Sequence, residues 1–320
     1  MLGFHVLVDG QNTAIRTNAV MDVQTKQGER TAAIFGTLNT LHNIIETISE
    51  KLDAFPREII LFWDRGHSAR RKEIFPDYKV KKKEWTPEDK AWTEELFSQI
   101  DEIHRNAPYF GVKSFYKKGY EGDDLIYGAT QVIHTKFPND VIVILSTDED
   151  YYQLICPYIY VYSPVRKVLY SFRNIKNLIG VNLEDYILYK SLKGDASDGI
   201  PGIRGIGEKT AKSLVNRYHT LQGMLEHKGE MLARKSTAKV ISEEGLQILD
   251  RNNQLMNLKD FVNLEPIEAE LTELIDSVPQ LDEGKVRSFL QRWQFVSILL
   301  KFQEWILPFK DIVCNFKRDI

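Results

Sequence analysis

Nine carboxylates stand out by type and spacing: Asp9, Asp64, the trio Glu121, Asp123 and Asp124, the pair Asp148 and Asp150, and the pair Asp195 and Asp198. If a fold gathers them, their mutual repulsion raises their pKa values and destabilises the site unless cations neutralise it. The donor set is all oxygen, with no His or Cys at ligand spacing. That selects hard cations, Mg²⁺ with Mn²⁺ able to substitute, over zinc. Two such ions about 3.5–4 Å apart clamp the attacking and leaving oxygens of a phosphoryl displacement. None of the seven histidines is needed.

Two further patterns suit a polyanionic substrate. From Arg65 to Lys83 eight basic residues stand against two acidic ones, although the whole chain carries a net charge of −3. An acidic spot in a basic surround is what a metal-dependent enzyme acting on polyanions needs; charge runs in general are more often plain solvated faces. Further on, Ile200-Pro201-Gly202-Ile203-Arg204-Gly205-Ile206-Gly207-Glu208-Lys209-Thr210-Ala211 leads into a helix. Gly205 and Gly207 let a backbone approach closely, the helix start offers free N–H groups to a phosphate, and Lys209 and Lys212 add charge. A bare G-x-G is usually a tight turn; the longer string is the helix–hairpin–helix pattern that grips a DNA backbone without reading bases.

The elements that position these residues follow from hydrophobic patterning. Phe4–Val8, Ile59–Trp63 and Val141–Leu145 are near-continuous apolar runs, each ending at or just before an aspartate, and they read as buried parallel strands. Ile34, Leu38, Leu41, Ile45 and Ile48 mark one face of an intervening helix. Strand–helix alternation gives an α/β fold, in which ligands gather at the carboxyl ends of the strands. An insertion spans about 66–108. Within it Thr86-Pro87-Glu88-Asp89 starts a helix lined by Trp92, Leu96, Ile100 and Ile103. Past Val181 the pattern becomes helical. This divides the chain into an α/β unit, 1–182, and a helical part, 183–320, with the hairpin motif at about 186–218. Trp293, Phe295, Phe302, Trp305 and Phe309 read as core at about three to one over a docking surface. Cys156 and Cys314 form no CxxC pair and no apolar run is long enough to span a membrane, so a soluble, cytoplasmic protein is expected.

In this arrangement the sequence resembles the flap endonuclease or 5′-nuclease family, which includes the 5′-nuclease domain of bacterial DNA polymerase I and free-standing phage relatives. The motifs run in the family's order from Asp9 to about Leu214. Gly194-Asp195-Ala196-Ser197-Asp198 running into Gly207-Glu208-Lys209-Thr210-Ala211 is the closest stretch. The resemblance implies a PIN-like parallel sheet flanked by helices, with a helical arch insertion and a C-terminal helix–hairpin–helix subdomain. It implies hydrolysis of phosphodiesters near 5′ flaps, 5′ ends or RNA primers on DNA. It assigns Asp9, Asp64, Glu121, Asp123 and Asp124 to one metal position and Asp148, Asp150, Asp195 and Asp198 to a second, with Asp123 bridging. Lys79 would stabilise charge on the scissile phosphate. Arg71, Tyr78 and Lys82 would meet DNA at the arch, and Gly205, Gly207, Lys209, Thr210 and Lys212 at the hairpin. The implied company is Mg²⁺, a monovalent cation at the hairpin, junction DNA or RNA–DNA hybrids, and a replication clamp or single-strand-binding protein around a monomeric enzyme. Lys82 stands where arginine is common, which removes bidentate phosphate recognition.

Two competing readings are a PIN-type RNase and a catalytically inactive junction-binding protein. The Gly205–Ala211 string argues against the first, and the presence of all nine carboxylates argues against the second.

Overall fold

The three apolar runs become neighbouring strands in the computed structural model, which describes residues 3–80 and 84–317. They are β1 (Gly3–Asp9), β2 (Phe55–Phe62) and, after the short β3 (Lys113–Phe115), β4 (Val141–Leu145). With β5 (Ile159–Ser163) and β6 (Val168–Tyr170) they form a sheet of order β3-β2-β1-β4-β5-β6. All neighbours are parallel except β6, which pairs antiparallel with β5. A parallel sheet needs crossover helices on its faces. These are α1 (Gly10–Val20) with α2 (Ala32–Leu52), then α3 (Ala69–Ile74) with α4 (Pro87–Asn106), then α5 (Gly122–Lys136).

Period-two alternation splits the core. Phe4, Val6 and Val8 of β1 face a layer that includes Ile34, Leu38, Leu41, Ile45 and Ile48 of α2 and Leu96, Ile100 and Ile103 of α4. Leu7 faces the opposite layer with Leu125, Ile126 and Ala129 of α5. Fully burying each such side chain stabilises by about 1.5–3 kcal/mol. Trp92 is half-buried at the edge of the α4 stripe. α4 starts with the full capping box, Thr86 and Asp89 each receiving the other's backbone N–H.

After α6 (Ile175–Ile179) the chain enters α7 (Tyr186–Lys193), a short hairpin of the two-residue strands β7 (Gly194–Asp195) and β8 (Ile200–Pro201), and α8 (Glu208–Tyr218). Leu192, Ile203, Ile206, Ala211, Leu214 and Val215 join the α5-side core, so the hairpin unit is packed onto the sheet layer. The last helices return to the other face. Trp293, Phe295, Phe302 and Phe309 are buried there among α2 and α4 residues, with Trp305 half-buried, so this aromatic segment is core. Among the described residues no helix is long and apolar enough to cross a membrane.

One buried cluster of charges lies toward the amino ends of the strands. His5 presents Nδ1 to Glu58 Oε1 at 2.7 Å and Nε2 to Asp140 Oδ2 at 3.4 Å. Lys113 donates to Glu58 and to the Ile275 carbonyl, and Arg57 pairs with Asp140. These contacts tie three strands to the helix Glu268–Asp276. Nothing in the reading of the sequence pointed to them.

Candidate active site

The carboxyl edge of the sheet carries the predicted acids. Asp9 ends β1 and caps α1, accepting the Asn12 N–H at 2.9 Å, the Ser146 hydroxyl at 2.9 Å and the Tyr151 hydroxyl at 3.2 Å. Burial, reinforced by Asp64, pushes it up to about 6. Asp64 follows β2 and accepts the Gly122 N–H at 2.6 Å; burial raises it too, against the pull of Lys79. Asp148 caps the short turn after β4, accepting the Asp150 N–H at 2.9 Å. Burial and neighbouring Asp150 raise it.

Glu121 and Asp124 are the reciprocal cap of α5, which is why acids three apart occur at this helix start. Glu121 Oε2 collects the Tyr78 hydroxyl at 2.8 Å and the Lys79 ammonium at 2.9 Å, while Oε1 takes the Ser68 N–H at 3.1 Å. Burial works against its charge, but Lys79 and Arg71 overcome that and hold it at about 2. Arg71 is 1% exposed. Its guanidinium forks Asp124 at 2.8 and 2.9 Å, reaches Asp123 at 3.3 Å and donates to the Leu255 carbonyl at 3.0 Å. Arg71 and Tyr78, expected on the DNA, therefore lie beneath the carboxylates and hold them in place, because burial and satisfied hydrogen bonds leave neither free to meet a phosphate.

The second acidic group gathers round a residue that the sequence reading missed. Lys190 of α7 is buried, with its ammonium 2.6 Å from Asp150 Oδ1 and 2.5 Å from Asp195 Oδ2. Burial opposes its charge, and the two acids outweigh burial and raise it. Asp195, desolvated but paired with Lys190 and capped by the Ser197 N–H at 2.9 Å, is held at about 2. Asp198 goes up to about 6 through burial and the neighbouring Asp150 and Asp195, despite Lys79 at 3.9 Å. Asp123 acts electrostatically on Asp64 on one side and on Asp150 and Asp198 on the other, which places it between the two groups.

All nine acids thus share one edge. As positioned, no three His, Cys, Asp or Glu side chains among the described residues converge into a ligand set; the Lys79 ammonium stands between Glu121 and Asp198, and that of Lys190 between Asp150 and Asp195. The donor chemistry fits hard divalent cations: all oxygen, partly desolvated, several groups raised by like-charge neighbours. Lys79 itself lies at φ +53° with its N–H on the Asp198 carbonyl at 2.9 Å, which locks the arch start to the second acidic group.

At the hairpin Gly205 is at φ +94°, a left-handed position that suits glycine, and Gly207 caps α8 with open space where a Cβ would stand. Lys209 is exposed; Lys212 is half-buried and pairs with Glu208 at 2.7 Å. Thr210 lies in the first turn of α8. Lys82, with Lys81 and Lys83, lies outside the described residues. Away from the acids, Arg16 of α1 has Nε and Nη2 shielded from solvent without a hydrogen-bond partner, at the wall of a cleft of about 640 Å³ between α1, α2 and the end of β5.

Comparison with known proteins agrees with this architecture. Residues 5–180 match the family described as 5′-3′ exonuclease, N-terminal resolvase-like domain, and residues 181–281 match the 5′-3′ exonuclease, C-terminal SAM fold. The chain is 29% identical over 300 residues to the thermostable DNA polymerase I of Thermus aquaticus, covering 93% of this chain and 33% of that protein. It spans about a third of the length of such polymerase relatives. It is 28% identical over 251 residues to a 5′-3′ exonuclease of Bacillus subtilis, covering 77% of each. In fold it is similar to a bacteriophage T5 protein co-crystallised with metal ions, with a TM-score of 0.68 at 21% identity over 90% of this chain and 98% of that one.

Proposed function

Because this chain belongs to the 5′-3′ exonuclease family, we propose that it is a metal-dependent, structure-selective 5′ nuclease acting on 5′ flaps, 5′ ends or primers of junction DNA. The observation that carries the proposal is the convergence of nine acids on one sheet edge, balanced by the inward-facing cations Arg71, Lys79 and Lys190. A cluster so costly in repulsion is retained where it has cations to hold.

Asp9, Asp64, Glu121, Asp123 and Asp124 would hold one Mg²⁺, and Asp148, Asp150, Asp195 and Asp198 a second, with Asp123 between them; Mn²⁺ would substitute. Bound there, the ions would supply a nucleophilic water and neutralise the leaving oxygen. The chain's own residues do the rest. Arg71 and Tyr78 fix the rotamers of Glu121, Asp123 and Asp124, a positioning role. Lys79, half-buried at the mouth of the cluster, contributes a preorganised positive charge to the scissile phosphate. The Gly205–Lys212 hairpin, with a monovalent cation, holds the duplex backbone and keeps the cut at a fixed distance from it. In this division residues 1–182 carry most of the chemistry, and the helical part, 183–320, adds Asp195 and Asp198 to it and carries the grip, while its last helices brace the sheet. The enzyme works as a monomer, with a replication clamp or single-strand-binding protein as partner.

The test is cleavage of 5′-labelled flap, nicked and single-stranded DNA side by side, with Mg²⁺ and with a chelator. Junction-dependent cutting that vanishes with the chelator is expected. Undiminished activity in the chelator, or no cutting of any of the three with Mg²⁺, would overturn the reading.

A further inference from the structure

Beside the acidic cluster lies a group of rings and charges that neither the metal chemistry nor the hairpin uses. Arg65, the residue after Asp64, lays its guanidinium on the ring of Tyr116 with the central carbon 4.7 Å from the centroid, and pairs with Asp101 of α4. His104, almost one turn further along α4, meets the same ring edge-on, with centroids 5.0 Å apart and planes at 62°. The His104 Nδ1 lies 2.8 Å from the Ser114 hydroxyl, which itself accepts the Trp63 indole N–H at 2.8 Å. Tyr116 is thus clamped from two directions, yet the residue is 42% exposed.

Register places this ring. Phe62 pairs with Phe115 across β2 and β3, so Tyr116 sits level with Trp63, one residue short of Asp64 and one strand spacing away, about 4.8 Å. It is therefore at the carboxyl edge, flanking the acids on the β3 side. Phe97, 39% exposed, shares a face of α4 with Asp101 and His104 by its spacing of four and seven. An exposed tyrosine held by a guanidinium and an imidazole costs side-chain freedom and leaves apolar surface in water. The cation–π contact returns only about 0.5–1 kcal/mol at an exposed site, and it leaves the ring fixed in place with much of its surface still open.

The charges decide what such a surface recognises. Asp101 already neutralises Arg65, and burial and Arg65 hold His104 below the usual histidine range, so the group offers little net charge to a phosphate. What it offers is a rigid π face backed by a cation. That chemistry suits the flat face of a nucleobase, and only an unpaired base has a face to give.

We propose that Tyr116, backed by Arg65 and His104, is a stacking platform for one unpaired base of the 5′ strand as that strand leaves the acidic cluster. This deepens the nuclease reading and rests on it. The subsite selects single-stranded character next to the junction without reading sequence, because every base has a π face.

The experiment measures binding by fluorescence anisotropy in a chelator, so that no strand is cut. The probes are a 5′-flap DNA, a blunt duplex of the same length, and a series of flaps with one abasic nucleotide stepped through the unpaired strand. Wild type should show one position where the abasic site weakens binding on the order of tenfold. Tyr116→Ala should lose about the same on the intact flap, lose nothing more at that position, and keep its deficit as salt rises, whereas a lost phosphate contact fades with salt. Tyr116→Phe should bind as wild type does, which separates the ring from the hydroxyl. Unfolding temperatures of both variants check that the half-exposed position tolerates the change. A Tyr116→Ala variant with the wild-type ratio of flap to duplex affinity, or one whose loss adds to that of every abasic position, would overturn the platform. A loss confined to binding of another protein would do the same and mark the ring as a protein contact. These outcomes are separate from failure of wild-type cleavage with Mg²⁺, which would instead sink the nuclease reading itself.

Discussion

Lys190→Met removes an ammonium and keeps an unbranched apolar stem of similar length, so it tests what that charge does for the acidic edge. Lys190 lies within 2.6 Å of Asp150 and 2.5 Å of Asp195, and both acids are largely shielded from solvent. Asp195 is held at about 2 against 3.8 for a free aspartate. A depressed carboxylate contributes stability that is fully present above the unfolded value and is lost as pH falls through the folded one. At pH 7.5 the whole contribution counts, about 2.4 kcal/mol at 1.36 kcal/mol per pH unit, supplied first by Lys190 and then by the Ser197 hydrogen bonds. Breaking a buried pair and leaving the other charge unmatched typically costs about 3–5 kcal/mol. With an unfolding entropy of about 2.1 cal/mol/K per residue, these figures correspond to a fall in Tm of roughly 3–7 °C. The loss should depend on metal, because an ammonium and a divalent cation compete for the same oxygens. Thermal unfolding at pH 7.5 should show the deficit in a chelator, and millimolar Mg²⁺ should raise the variant's Tm by more than it raises the wild type's, through linkage. If the variant melts within a degree of wild type in the chelator, or if Mg²⁺ raises both equally, Lys190 is not a stand-in for metal charge and the counter-ion argument fails.

Asp148→Asn changes almost no volume and removes one negative ligand, so single-turnover cleavage should fall at least a hundredfold while flap binding holds or tightens; wild-type turnover would exclude Asp148 as a ligand. Gly207→Val adds side-chain atoms where a Cβ meets nothing, at an ordinary φ of −89°, so the fold should melt unchanged while duplex affinity drops about tenfold by obstruction of the phosphate; unchanged affinity at moderate salt would reduce the motif to a turn. Lys79→Ala should lower the single-turnover rate at saturating DNA at least tenfold with little change in affinity, and a pure affinity effect would make Lys79 one phosphate attractor among several. His5, raised above 6.5 by Asp140 and Glu58 against the effect of burial, contributes stability that is full below the unfolded pKa and lost as pH rises through the folded one. The wild-type Tm should therefore decline from about pH 6.5 upward, and His5→Gln should flatten that slope; parallel curves would show that the imidazole does not titrate there.

What was legible in the sequence followed from short-range physics. Apolar runs ending in aspartate placed Asp9, Asp64 and Asp148 on one edge, because parallel strands all point their carboxyl ends the same way. Acids three apart, as in Glu121 and Asp124, and the glycine-framed hairpin are local patterns with local causes. Roles that depend on what a long side chain reaches were not legible. Arg71 was read with the basic run, since nothing local says that its guanidinium turns inward to Asp124 and Leu255, a residue 184 positions away. Lys190 did leave a signal, a lysine in the last turn of a helix five residues before Asp195, but helix ends attract lysines for their dipole, and that ordinary reading hides the pairing. Glu58, directly before the apolar run of β2, is an acid that enters a buried strand, but nothing local names His5 and Lys113 as its partners.

The residues missed share a physical reason for being where they are. Nine acids cannot fold together in water without counter-charge, and the chain supplies it from Arg71, Lys79 and Lys190. Arg71 is buried and multiply bonded, so its charge is permanent. Lys79 and Lys190 hold their acids through single ammonium groups on flexible stems, which a divalent cation can displace at small structural cost. Displacement has different consequences for the two. Lys190 is buried at the end of α7, so an ammonium displaced from Asp150 and Asp195 stays close to them and tunes how tightly they hold an ion. Lys79 is 27% exposed at the mouth of the cluster, so an ammonium released from Glu121 stays tethered beside the place where a phosphate must approach. The charge that stabilises the acids before metal arrives is then available to the substrate once metal has taken its place.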